Sequence, residues 1–285
     1  METVVDKIIN SSSYNDYLKG KIAFDELSLK IGIPYNKLKY LFSKFNIKNR
    51  YTFLTESTVH NFFDVIDSEV KAYLIGFLFA DGTIQKNHIT ISLSEKDSEI
   101  IYLFQTNICP EYKITEIKSY TNKKTGYTSK PMKSITFKSE HMCKILESYG
   151  ISNNKTYKEL ENIDFIPNEY FLHFLRGYWD GDGCSCVSKI NKTYQKKDGT
   201  SSISTYFNYN WNIISNTSTH LYLLQKHLKE QHNINANVLK TKKGHYLLEI
   251  NRKNDFLTLR DKLYENAEFY LKRKKEKIYG NTVLI

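Results

Sequence analysis

From Tyr206 to Ile213 the chain alternates without a break. Phe207, Tyr209, Trp211 and Ile213 fall on one side, and Tyr206, Asn208, Asn210 and Asn212 on the other. A period of two predicts a strand with one apolar and one polar face. Weaker versions place Ile89, Ile91 and Leu93 opposite His88, Thr90 and Ser92, and Ile135 and Phe137 opposite Ser134, Thr136 and Lys138. Between these stretches the apolar positions recur at helical spacing. In the first half the pattern predicts helices over 68–81, 96–107 and 139–149, with strands over 82–94, 111–120 and 133–138. In the second half it predicts helices over 168–181, 218–232 and 252–264, with strands over 184–190, 203–215, 235–242 and 244–250. Each half reads α-β-β-α-β-β-α, so the expected class is α+β, built from an internal duplication. Repeat one is placed at 68–160 and repeat two at 161–285.

Upstream, residues 1–19 are polar and predicted to be loosely ordered. In 20–48, Phe24, Leu27 and Ile31 share one helical face, Gly32 and Pro34 punctuate, and Leu38, Leu41 and Phe42 form a second apolar stripe. Two short helices about a glycine-containing turn read as a helix-turn-helix, whose second helix carries Lys37, Lys39 and Lys44. An ordinary helical hairpin has the same pattern. This gives a helical module over 1–50 and a connector over 51–67.

Composition narrows the picture less than pattern does. No stretch of the 285 residues reaches the ~20 apolar residues of a membrane span. The opening "METVVDKIINSSSYND" starts acidic and lacks the long apolar run of a signal peptide. A soluble, intracellular, monomeric protein is expected, in a bacterium, a phage-infected cell or an organelle. Cys109 and Cys143 stand alone, and Cys184 and Cys186 lack zinc-ribbon spacing. All four thiols are expected to be buried and reduced. Lys plus Arg exceeds Asp plus Glu by 41 to 31, a net charge of +10 that favours a polyanion. The basic residues gather at expected hairpin tips: Lys123, Lys124, Lys130 and Lys133; Lys192, Lys196 and Lys197; Lys240, Lys242 and Lys243. Tips at matching places in two repeats suit phosphate clamps. The amides of Asn208, Asn210 and Asn212, beside Tyr206, can donate to and accept from base edges. A solvated sheet face is the plain alternative.

The candidate chemistry lies in a segment that occurs twice. "LIGFLFADG" runs from Leu74 to Gly82 and "LRGYWDGDG" from Leu175 to Gly183. As helices, Gly76 and Ala80, like Gly177 and Gly181, form a groove of small residues on one face. Two such helices can approach until their backbones nearly touch, defining a pseudo-twofold axis. Asp81 and Asp182 then fall at the carboxyl ends, which the helix dipole already makes negative. A divalent cation relieves that repulsion, and oxygen ligands with room for water suit magnesium. Such an ion near a phosphodiester can generate hydroxide and stabilise the leaving oxygen.

In both nonamers the chain resembles the LAGLIDADG homing endonucleases of the single-chain, two-motif type, and the resemblance covers about residues 68–280. It implies two αββαββα repeats forming a saddle on double-stranded DNA, and magnesium-dependent cleavage of both strands, with manganese as a substitute ion. It makes Asp81 and Asp182 the metal ligands, helped by the carbonyls of Ala80 and Gly181. It also implies a lysine late in each repeat, matched here by Lys155 and Lys274. Gln85 and Lys189 follow the motifs and suit the ordering of water or phosphate. At the sixth place Phe79 departs from the motif's aspartate, which Asp180 keeps. A nuclease that spreads a mobile element is implied. A non-cleaving RNA maturase or transcription regulator on the same scaffold is the alternative.

Overall fold

The computed structural model describes residues 3–152 and 160–280. Five short helices come first: α1 (Val4–Ile9), α2 (Ser12–Leu18), α3 (Phe24–Ile31), α4 (Tyr35–Lys44) and α5 (Arg50–Glu56). The expectation of a loose start is thereby corrected, because α1 and α2 lie within 1–19. Thr3 and Ser11 cap them by accepting from Asp6 N and Tyr14 N. Three sparse apolar anchors, Ile8, Tyr14 and Leu18, join Leu27, Leu38, Leu41, Phe42 and Ile47 in a small core separate from the main one. Gly32 closes α3 in the left-handed region at φ +67°, and Ile33 N returns to Ser28 O at 3.1 Å.

The first repeat holds α6 (Glu69–Asp81), β1 (Thr83–Gln85), β2 (His88–Ser94), α7 (Glu99–Ile108), β3 (Thr115–Ile117), β4 (Met132–Lys138) and α8 (Glu140–Ser148). The second holds α9 (Phe171–Asp182), β5 (Gly183–Gln195), β6 (Ser201–Ser215), α10 (Thr219–His232), β7 (Asn237–Lys240), β8 (Tyr246–Ile250), α11 (Lys253–Tyr264) and α12 (Lys272–Gly280). The two antiparallel sheets have equivalent strand orders, β1-β2-β4-β3 and β5-β6-β8-β7. The α+β class and the duplicated topology expected from the sequence are both present. One continuous core runs from Phe62 to Ile278 through both halves. Ile89, Ile91, Leu93, Ile135 and Phe137 turn inward from the first sheet, and Tyr209, Trp211 and Ile213 from the second.

The strand expected over 235–242 halves to Asn237–Lys240, and two others depart further from their expected lengths. The strand predicted over 111–120 shrinks to Thr115–Ile117, whose three residues are all exposed. The strand predicted over 184–190 grows to Gly183–Gln195 and pairs throughout with β6. Its outer half passes beyond the core, so both faces are solvated and no hydrophobic period marks it. The thiols divide as well. Cys109 and Cys143 are buried, but Cys184 and Cys186 are exposed, because Gly183 and Ser185 take the inward phase of β5. No helix among the described residues is long and apolar enough to cross a membrane.

Candidate active site

Helices α6 and α9 meet where side chains are missing. A methyl group added at Gly76 would land on the carbonyl oxygen of Phe174, and one at Gly177 on that of Tyr73. The contact is reciprocal, as a pseudo-twofold axis requires. One turn later Gly181 faces Ala80, and a Cβ built on Gly181 would lie 3.3 Å from Asp81 Oδ2. Asp81 therefore sits across from the residue preceding Asp182, and both aspartates are exposed at the same end of the helix pair. Gly82 and Gly183 follow in extended backbone (φ −71° and −81°), which any residue adopts. Glycine is needed there for space: a Cβ at Gly82 would strike Leu78, and one at Gly183 the Trp179 indole.

This arrangement offers oxygen donors alone: two carboxylates and, from Ala80 and Gly181, carbonyls in last helical turns that lack intrahelical donors. Among the described residues no three His, Cys, Asp or Glu side chains form a metal cage. Two exposed acids at two negative helix ends fit a hard cation that takes its remaining ligands from water or a phosphate.

Beneath the aspartates lies a polar network that the sequence did not disclose. Asp180 is fully buried and accepts from Tyr73 Oη, Tyr264 Oη and Leu271 N, each at 2.8 Å. Burial pushes its carboxyl up to about 6, against the pull of those donors and of Lys274. The three groups donating to it favour the ionised form, and burial opposes it. Arg176, also buried, donates to the carbonyls of Phe269 and Leu263 at 2.7 Å. Together these side chains fasten the segment leading into α12 against α9. At the matching sixth place of the first motif, Phe79 packs on Tyr178 and His220, with ring centroids 4.8 and 5.3 Å apart.

Lys274 is buried rather than presented to solvent. Its ammonium donates to the carbonyls of Trp179, at 3.2 Å, and Gly183, and stands 4.8 Å from the Trp179 ring centre. Burial lowers its pKa, while Asp180 opposes the shift. It thus grips the backbone on both sides of Asp182. Sequence reasoning missed Lys277, one turn on, which is exposed with its Nζ 3.8 Å from Cys184 Sγ. The signal was present: Leu271, Lys274 and Ile278 have i, i+3, i+7 spacing, which puts Lys274 on the inner stripe of α12 and Lys277 off it. Arg273 reaches the first repeat, where its guanidinium binds Asp97 at 2.6 and 2.9 Å. Lys155 lies outside the described residues.

The other candidates fall into two groups. Ser215 pairs with Tyr246, so the β7–β8 turn lies at the aspartate end of its sheet, and Lys240, Lys242 and Lys243 are exposed there. A cleft beside them joins Asp182 to Asn216, Thr217 and His245. Lys192, Lys196 and Lys197 are exposed at the far end of the β5–β6 hairpin, with Lys189 partway along. On the polar face of β6, Asn212 donates to Asn210, and Asn210 to Asn251 Oδ1 at 2.9 Å. Tyr206 and Asn208 are exposed farther out. In the first repeat Gln85 is exposed at the end of β1, and Lys123, Lys124 and Lys130 lie in the β3–β4 loop. Hydroxyls pair across the polar face of that sheet, Thr90 with Thr136 at 2.9 Å and Ser92 with Ser134 at 2.7 Å.

No protein-family model matches the chain, and no curated protein matches it by sequence. Solved structures do. The LAGLIDADG meganuclease I-AabMI, bound to uncleaved DNA, is similar at TM-score 0.51 and 11% identity, over 74% of this chain and 88% of its own. A double mutant of I-SmaMI is similar at TM-score 0.50 and 12% identity, over 75% and 90%. The N-terminal LAGLIDADG domain of DUF199/WhiA matches at TM-score 0.42 and 19% identity, over 79% and 95%. The two closer likenesses show that this chain has the LAGLIDADG fold.

Proposed function

We propose that the protein is a site-specific endonuclease that hydrolyses both strands of double-stranded DNA with a divalent metal ion, acting as a monomer. The observation that carries this reading is the reciprocal glycine crossing, which delivers Asp81 and Asp182 together, exposed, between two sheets with polar outer faces. One chain supplies both acids, so a second copy is not required for two-strand cutting.

The polar faces and basic turns bind the duplex. Lys240, Lys242 and Lys243 hold phosphates near the aspartates, and Lys192, Lys196 and Lys197 hold them farther out. Asp81 and Asp182, with the carbonyls of Ala80 and Gly181, hold magnesium, or manganese in its place. When bound, the ion supplies a lowered water pKa and charge neutralisation at the leaving oxygen. Lys277 lies on the exposed side of α12 and faces charge that develops on phosphate. Lys274 is a positioning residue that keeps the end of α9, and so Asp182, in place. Lys155 is proposed as its counterpart in the first repeat, and Gln85 and Lys189 order water or phosphate.

A non-cleaving DNA-binding role is the second reading, favoured by the burial of Lys274 on backbone carbonyls. Selection from a random duplex library in magnesium separates the two. Recovery of one sequence cut on both strands supports the nuclease. Recovery of a sequence that is bound and never cut, with magnesium or manganese, overturns it in favour of the second reading.

A further inference from the structure

The two halves present very unequal strands outward. The β5–β6 hairpin is paired over 13 residues, from Gly183 to Gln195, and the β1–β2 hairpin over three, from Thr83 to Gln85. At ~3.3 Å per residue these reach ~43 and ~10 Å from the aspartates. On a duplex rising ~3.4 Å per base pair they cover ~13 and ~3 base pairs. Strands therefore leave ~10 base pairs unread on one flank.

The N-terminal helices stand at the truncated end. Lys138 is the last residue of β4, pairs with His88, and shares the polar face with Thr136. Its Nζ sits 5.0 Å from the ring centre of Tyr51, at the start of α5. His60, just beyond α5, bonds Ser139 Oγ at 2.8 Å through Nδ1 and Thr55 O at 2.8 Å through Nε2. Lys113 donates to Gly20 O. The module is thus moored where the first sheet's polar face stops.

Helix α4 is built to be read from outside. Leu38, Leu41 and Phe42 face the small core, while Asn36, Lys37, Tyr40, Ser43 and Lys44 are all exposed. These five recur at i, i+1, i+4, i+7 and i+8, one continuous face of a helix ~15 Å long. The face contains amide, hydroxyl and phenol groups and two cations, with no acid. Among the described residues neither Lys37 nor Lys44 is in an ion pair, whereas Lys21, Lys30 and Lys48 of the same module are.

We infer that α4 replaces the missing strands: resting on the proposed DNA-binding reading, the protein reads one flank of its site with the β5–β6 hairpin and the other with the outer face of α4 in the major groove. Basic and amide groups on an exposed helix suit that groove, which admits one helix.

The test is hydroxyl-radical footprinting of the full chain on the duplex recovered by selection. The Lys37→Ala, Lys44→Ala double variant should lose protection on one outer flank and lower the salt slope of binding by about 2. Lys196→Ala with Lys197→Ala should lose protection on the opposite flank. These four side chains are exposed, so folding is preserved, and unchanged circular dichroism checks this. Retained protection on both flanks in the α4 variant overturns the inference while leaving the nuclease reading standing. Failure to select any duplex overturns both.

Discussion

At the scale of single residues, two acids separated by Gly181 stand in opposite surroundings. Asp182 is exposed and suited to a metal, whereas Asp180 is buried and tied to three donors. The buried one sets a pH signature. Its folded pKa of about 6 lies above its ordinary 3.8. Between those values the folded protein keeps a proton that the unfolded chain has lost. Its contribution to stability is therefore full below pH ~4 and falls as pH rises through ~6, by about 3 kcal/mol in all. In metal-free buffer, denaturant titrations of wild type against Asp180→Asn should show that slope in the wild type alone; parallel curves would remove Asp180 from the account. The two lysines of α12 should also separate. Lys277→Ala should leave the melting temperature unchanged and slow cleavage on the order of 10²-fold. Lys274→Ala removes the buried ammonium that donates to the carbonyls of Trp179 and Gly183 and should cost about 1–3 kcal/mol of stability. The placing of Asp81 and Asp182 at the ends of two closely crossed helices was legible because motif and glycine spacing are local. The burial of Lys274 was masked by the basic run "KRKKEK", where only the flanking Leu271 and Ile278 mark the inner face.

Among elements, the α6–α9 pair decides whether the halves meet. Alanine in a helix interior ordinarily gains up to about 1 kcal/mol over glycine. Here the added methyl meets a carbonyl oxygen of the partner helix, which cannot rotate away. Overpacking of about 1–3 kcal/mol or more should win, so Gly76→Ala and Gly177→Ala should each lower the melting temperature by several degrees. Thermal denaturation that finds either variant as stable as wild type would contradict the close crossing. Most helices of the two repeats were readable to within a few residues because an apolar stripe marks them; α6, buried nearly all round, was readable from its motif, and α12 was not expected as a helix. The β5–β6 hairpin was only half readable, since beyond Ile190 every residue to Thr200 is exposed and alternation carries no signal. The first helices were missed because Ile8, Tyr14 and Leu18 are too few to outweigh the serines and asparagines around them.

The whole molecule combines a duplicated platform with unequal outer parts: a long hairpin at one end, a helical module at the other, and a net charge of +10 over all. The duplication was visible in the sequence, but the inequality was not, because strand length beyond the core depends on pairing rather than on pattern. On the proposed reading, charge at many points would hold the duplex, so removing one acid from the centre should leave binding intact. The most direct test of the central claim is to measure affinity and two-strand cutting together, on the selected duplex in magnesium, for wild type, Asp81→Asn and Asp182→Asn. Each variant should bind within about threefold of wild type, under 1 kcal/mol, and make no double-strand break. Full cutting by either variant would show that the paired aspartates do not carry the chemistry.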